Sequence, residues 1–174
     1  MIVLTKRAKT MDTLTVTARP SIDWSSAIWS GIIAGAVFMM LEMVMVPLFI
    51  GGSPWGPPRM IAAIGMGKGV LPPPDTFALV PMVVAMAIHF MLAIVLAVVL
   101  ALFVNRVELG MAALAGAIFG LVVYLINFYG LTALFPWFEM ARNWVSIFAH
   151  VMFGAVAALS YKWLQKPNGQ AART

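Results

Sequence analysis

Four long runs of apolar residues, separated by short polar or proline-rich segments, dominate the pattern along the chain. They extend over residues 26–50, 77–104, 109–134 and 143–163. Each run exceeds the roughly 20 residues that a helix needs to cross the hydrocarbon core of a bilayer. Because lipid offers no partner to open backbone groups, each run is predicted to be a transmembrane helix. The pattern therefore predicts an all-α polytopic membrane protein, with a transmembrane domain over residues 23–165.

The connections between the runs are unequal in length. Residues 105–108 predict a tight cytoplasmic turn, and residues 135–142 predict a short turn on the outer side. The connection 51–76 is much longer and holds six of the 11 prolines. Between those prolines, the stretch Arg59–Ile64 predicts a short helix at the outer surface of the membrane.

Composition strengthens the membrane assignment and removes several other classes of protein. The chain is 63% hydrophobic and 10% charged, with a mean hydropathy of +0.98. Soluble domains are typically about 45–50% apolar and about 25% charged. The chain has no cysteine, which excludes disulfides, iron–sulfur ligation and thiol catalysis. No nucleophile–base pair, dinucleotide-binding loop or pair of carboxylates appears, so we do not expect an enzyme.

Charge predicts the orientation of the helices in the membrane. The net charge is +5, from 11 basic and 6 acidic residues. In a four-span arrangement, one side of the membrane carries Lys6, Arg7, Lys9, Arg19, Arg106, Lys162, Lys166 and Arg173, and the other carries Arg59, Lys68 and Arg142. Basic residues stay in the cytoplasm, so residues 1–22 and 166–174 are predicted to be cytoplasmic tails. The scattered basic residues form no surface for nucleic acid, and the lipid bilayer is the expected partner.

The first half of the chain resembles the second half at several positions. His89 and His150 are each followed by Met, Val and Ala at identical offsets. The first and third runs share the patterns Gly31-x3-Gly35-x6-Glu42 and Gly116-x3-Gly120-x6-Asn127. These matches predict two parallel repeats of a two-helix hairpin, related by a pseudo-two-fold axis along the membrane normal. The alternative is the ordinary similarity of one apolar helix to another.

A small set of polar residues lies inside the apolar runs. Of the 11 basic and 6 acidic residues, only Glu42 lies deep within a run. At 1.5 Å per residue, Glu42, His89, Asn127 and His150 lie roughly 11–18 Å below the outer ends of their runs. We therefore expect them to meet in the bundle centre, with Tyr124 beside them. A buried carboxyl must be protonated, hydrogen-bonded or paired, and a His–Glu pair is the favoured arrangement. Tyr124, Tyr129 and Ser146 are expected to extend this network.

Other positions support this picture. Pro47 cannot donate to the carbonyl of Met43 and predicts a kink just beyond Glu42. The glycines spaced four apart predict close approach to a neighbouring helix. Glu139 and Arg142 are spaced for a surface ion pair. Arg59 is expected to face lipid headgroups, and the alternatives are that it caps the outer mouth of the bundle or contacts Glu139.

Three functions remain open from these residues. The leading hypothesis is a transporter- or channel-like protein that handles protons, ions or a small solute through the polar cluster. The second is a subunit of a respiratory-type complex that binds haem b or a transition metal through His89, His150 and Glu42. The third is a structural or accessory subunit, in a homo-oligomer or a larger membrane complex, whose network only fixes helix order.

Several short motifs also carry a resemblance. They are Glu42 with Pro47-Leu48, Pro58-Arg59, His89, Phe135-Pro136-Trp137-Phe138 and His150. Over residues 25–163 the chain resembles a YagU-like group of small bacterial inner-membrane proteins. This resemblance implies a four-span protein of poorly defined function and supplies no catalytic residue. Similar short sequences carry a sodium:proline symporter label, although such symporters need many more spans.

Overall fold

The computed structural model describes residues 21–165, and every regular element in that range is helical. The α-helices are α1 (Trp24–Met45), α2 (Gly56–Met66), α3 (Leu79–Val104), α4 (Leu109–Leu125) and α5 (Trp144–Leu164). Four candidate spans, Trp24–Ile50, Leu79–Val104, Leu109–Ala133 and Trp144–Leu164, are long and apolar enough to cross a membrane. The predicted all-α architecture is therefore confirmed, with four helices that are long and apolar enough to span a membrane. The predicted tails lie outside the described residues, apart from positions 21 and 22.

The two ends of the bundle differ in how the chain leaves the helices. At one end, which we call the turn end, residues 105–108 join α3 directly to α4. At the other, the loop end, α1 continues as a π-helix over Val46–Ile50. A second π-helix over Ile126–Gly130 follows α4. The helix α2 lies in the long connection at this loop end.

Side-chain caps fix where α1 and α5 begin. The Asp23 carboxylate accepts a hydrogen bond from the Ser26 backbone N–H at 3.1 Å. The Asn143 side-chain oxygen accepts one from the Ser146 backbone N–H at 3.0 Å. Each cap satisfies one of the donors that a helix leaves open in its first turn. The cap at Asn143 thereby fixes the position of Ser146 in the first turn of α5.

Small side chains let the four long helices pack closely. Helix α1 lies between α3 and α5, and α4 packs along α5, whereas α3 and α4 touch each other little. The buried core at these interfaces consists largely of alanines, namely Ala27, Ala34, Ala93, Ala97, Ala101, Ala112, Ala157 and Ala158. In lipid, helix association depends on van der Waals contact, which small residues favour by bringing backbones together.

Glycines mark the closest approaches, on the helix faces that the sequence spacing predicts. A Cβ atom on Gly120 would overlap the backbone carbonyl of His150, and one on Gly154 would overlap that of Gly116. A Cβ on Gly31 would lie 2.7 Å from the Ile94 Cα. The glycines of α1 thus face α3, and those of α4 face α5. This arrangement suits the predicted repeat, which remains a prediction until the two hairpins are superposed.

Hydrogen bonds among polar groups hold the helices together at the turn end. The Tyr161 hydroxyl donates to the Asn105 side-chain oxygen at 3.0 Å and lies 3.4 Å from the Asp23 backbone N–H. The Lys162 ammonium donates to the Asn105 carbonyl at 3.2 Å. These bonds join the start of α1 to the ends of α3 and α5, so the polar groups at this end satisfy one another.

The close packing of α4 on α5 makes a testable prediction about Gly120. We expect Gly120→Ala to lower the free energy of unfolding by about 1–3 kcal/mol, because the new methyl group forces the two helices apart. Gly110→Ala is the matched control, since a Cβ on Gly110 meets nothing within 4 Å. Reversible unfolding in mixed detergent micelles, followed by tryptophan fluorescence, measures both variants. Equal stability of the two variants would contradict the packing described here.

Candidate functional site

A cavity of about 500 Å³ lies in the loop-end half of the bundle, beneath α2. All four long helices and both π-helices contribute to its wall, which is mostly apolar. Its polar lining residues are Glu42, Ser53, Asp75, His89, Asn127, Asn143, Ser146 and His150. The volume falls within the range of about 300–1,000 Å³ that is typical of small-molecule sites. The structure thus brings four of the predicted cluster residues, Glu42, His89, Asn127 and His150, to one cavity.

Glu42 is the buried acid of this site. It is 5% exposed and lies near the end of α1, where its backbone carbonyl accepts from the Val46 N–H. Its side chain shares a hydrogen bond with Ser146, which the cap at Asn143 places in the first turn of α5. Among the described residues, Glu42 forms no ion pair with a histidine, so the expected His–Glu pair is replaced by a Glu–Ser pair.

The backbone changes form beside Glu42, where Pro47 led us to expect a kink. The α-helical part of α1 ends at Met45, and the chain continues as a π-helix that has Pro47 in its first turn. A π-helical turn is wider than an α-helical one and commonly lies next to a functional site. Asn127 lies in the other π-helix, so both polar residues of the odd-numbered spans adjoin widened turns.

His150 connects Ser146 to Asn127. Its Nδ1 lies 2.7 Å from the Ser146 carbonyl, and its Nε2 lies 3.5 Å from the Asn127 side-chain nitrogen. Because a carbonyl only accepts, Nδ1 carries a proton, and Nε2 is left to pair with the Asn127 side-chain amide. Glu42, Ser146, His150 and Asn127 therefore form one continuous polar path along the cavity wall.

His89 is held separately from this path. Its Nε2 donates to the Gly35 carbonyl at 2.8 Å, which ties α3 to α1. Phe38 stands between the two histidines, with its ring centroid 5.4 Å from that of His89 and 4.8 Å from that of His150. Sequence reasoning missed Phe38, although its position one helical turn before Glu42 was a signal that could have identified it.

These contacts bear on the metal and haem hypotheses. No group of three His, Cys, Asp or Glu side chains in residues 21–165 is placed to hold a metal ion. Glu42, His89 and His150 therefore do not converge as a ligand set. The Phe38 ring contacts both imidazoles, and each imidazole is hydrogen-bonded to a carbonyl through one of its nitrogens. The haem b hypothesis stays a prediction.

Tyr124 supports the cluster without lining the cavity. It is 3% exposed, and its ring stacks on Phe128 at 4.9 Å and meets the edge of His150 at 5.5 Å. It also shares a side-chain hydrogen bond with Tyr129. Tyr124 therefore packs behind His150 and restrains the orientation of that ring.

Arg59 shapes the roof of the cavity. The expectation that it faces lipid headgroups is wrong, because the side chain is buried and donates to two carbonyls of its own loop. Its Nε bonds the Thr76 carbonyl at 2.9 Å, and its Nη1 bonds the Val70 carbonyl at 3.1 Å. The Trp137 indole N–H donates to the Met60 carbonyl at 3.0 Å. These bonds fix α2 over the cavity.

Arg142 also fixes part of the loop end through its hydrogen bonds. The predicted ion pair with Glu139 is present, with a shortest distance of 3.4 Å. The shorter bonds, however, go to the Phe128 carbonyl at 2.7 Å and the Thr132 hydroxyl at 3.1 Å. The guanidinium also lies 4.5 Å from the centre of the Tyr129 ring. Arg142 thus holds the irregular end of the third span.

Comparisons of the chain with protein-family models, curated proteins and solved structures found no match. The resemblance to YagU-like proteins therefore stays a prediction, and the case for a function rests on the geometry of the site.

Arg59 makes a prediction about the roof of the cavity. We expect Arg59→Met to lower the free energy of unfolding by about 1–3 kcal/mol, because two loop carbonyls lose a charged donor while the apolar stem is kept. Protease cleavage within residues 67–78 should become faster. Lys68→Met is the control, since Lys68 is exposed in the same loop. Equal cleavage rates for both variants would show that Arg59 does not hold the roof.

Proposed function

We propose that this protein binds a small solute in the loop-end cavity, as the first step of a transporter-like function in the membrane. The observation that carries the proposal is the coincidence of two features. One is a cavity of about 500 Å³ with a mostly apolar wall. The other is Glu42, a buried acid within a spanning helix that lines this cavity. Ionisable residues at such positions commonly mark the path of a substrate or an ion.

The cavity favours this proposal over a purely structural network. Protein interiors pack as densely as organic crystals, and voids larger than a water molecule are few. A network that only fixed helix order would be served best by close packing around Glu42, as the alanines provide at the turn end. Here the polar path from Glu42 to Asn127 borders open volume instead. A cavity of this size beside a buried carboxyl favours a bound solute over a purely structural network.

The polar path gives an occupant both a donor and an acceptor. The Ser146 hydroxyl pairs with Glu42, while the Ser146 carbonyl accepts from His150. Asn127 ends the path with an amide, which can donate and accept. A few polar groups of this kind in an apolar pocket fix the orientation of a bound molecule. Glu42 adds a group that can take up or release a proton as the occupant changes.

Passage through the membrane requires the bundle to rearrange. The turn end is closed by alanine packing and by the hydrogen bond between Tyr161 and Asn105. Helices α3 and α4 contact each other little, so their shared side is the most loosely packed face of the bundle. The basic residues favour an orientation with the loop end facing away from the cytoplasm of a bacterial cell.

A carboxyl-directed reagent tests whether the site is open. Dicyclohexylcarbodiimide is an apolar reagent that converts protonated carboxyl groups within membranes into stable adducts. We expect it to modify Glu42 in the folded protein, as identified by mass spectrometry of peptides, because Glu42 lines an apolar cavity. Glu42→Gln should remove the adduct, and Glu139→Gln should leave it unchanged because Glu139 is exposed in the outer turn.

A Glu42 that resists the carbodiimide would contradict the proposal. Glu42 that stays unmodified in the folded protein, but is modified once the protein is unfolded, would mean that the carboxyl is sealed off. The polar cluster would then be structural, and the proposed function would be wrong.

A further inference from the structure

We infer that the occupant of the cavity is a lipophilic organic cation that enters from the membrane between α3 and α4. This inference rests on the proposed function and names the class of solute for that site. Three features of the wall carry it: the sign of its charges, its aromatic content and the side on which it opens.

The charged residues of the wall are all acidic. Glu42 and Asp75 line the cavity, and no Lys or Arg is among its lining residues in the described part of the chain. This contrasts with the net charge of +5 for the whole sequence. An anion would meet two acidic side chains and no Lys or Arg. A cation would instead find Asp75 near the exposed loop and Glu42 deep in the bundle.

Aromatic rings form a large part of the apolar wall. The phenyl rings that line the cavity are those of Phe38, Phe128, Phe135, Phe138 and Phe153. The face of an aromatic ring attracts a cation, and the attraction grows when the cation has lost its water. Phenylalanine also packs against an apolar body, so the same wall suits both parts of a lipophilic cation. An inorganic ion would leave most of the volume unused.

The wall reaches the lipid-facing surface of α3. Leu92 and Val95 both line the cavity, yet they are 44% and 53% exposed. Because α3 is a spanning helix, their exposed sides face the hydrocarbon rather than water. The limited contact of α3 with α4 leaves this side open. An amphipathic cation that has dissolved in the membrane can therefore reach Glu42 without crossing the loop.

A pair of probes with the same shape and opposite charge tests the inference. We expect the purified protein in detergent to bind tetraphenylphosphonium and not tetraphenylborate, as measured by equilibrium dialysis against empty micelles. Glu42→Gln should weaken tetraphenylphosphonium binding about tenfold or more, because the cation loses its buried partner. Glu139→Gln should change it less than about twofold, since exposed charges contribute little.

The entry side has its own matched pair of variants. Val95→Trp places a large ring at the opening, whereas Val99→Trp places the same ring one helical turn away on an exposed position outside the cavity wall. We expect Val95→Trp to slow or weaken tetraphenylphosphonium binding and Val99→Trp to leave it unchanged. This pair keeps the inference testable if Glu42→Gln fails to fold.

The outcomes separate the inference from the proposed function. Equal binding of both probes, or equal binding to wild type and Glu42→Gln, would overturn the cationic class. Absence of tetraphenylphosphonium binding, with Glu42 still modified by the carbodiimide, would also overturn it while leaving a solute site in place. Absence of both binding and modification would overturn the inference and the proposed function together.

Discussion

Carbonyl oxygens without a donor are costly in lipid, and the loop end of this bundle presents several of them because its helices end in π-helical and proline-rich segments. The protein satisfies these oxygens with long side chains. Arg59 bonds Val70 and Thr76, Arg142 bonds Phe128, and the Trp137 indole bonds Met60. These bonds stabilise the irregular, open structure of the loop end. The roof that α2 forms and the wall beside Asn127 depend on them, and so does the cavity between.

The bundle consequently divides into two unlike halves. At the turn end, alanine and glycine bring the backbones together, and the interior is closed. From the level of Phe38 and Phe153 toward the loop end, phenyl rings hold the helices apart. Glu42 lies in this second half, where Ser146 satisfies its carboxyl on one side. The polar path and the open volume are therefore products of one change in side-chain size along the helices.

Apolar run length fixed the spans closely, because a helix of known rise must cross a hydrocarbon layer of known thickness. The same rise predicts that Glu42, His89, Asn127 and His150 lie at levels close enough to meet. It gives no information about rotation around each helix axis, so it favours a histidine as the partner of Glu42 where the structure has Ser146. The loop bonds of Arg59 could not be predicted for a related reason. They depend on how the whole connection between α1 and α3 folds back on itself, and no local pattern predicts that.

The loop-end half holds an accessible cavity with polar groups in its wall, and the turn-end half is closely packed. The chain has no cysteine, so single substitutions give an unambiguous signal. Asn127→Cys lies in the cavity wall, and Ala112→Cys lies at a fully buried position near the start of α4. A small cationic methanethiosulfonate reagent should react rapidly with Asn127→Cys and leave Ala112→Cys unmodified in the folded protein. Equal reactivity at the two positions, or an unreactive Asn127→Cys, would contradict the account.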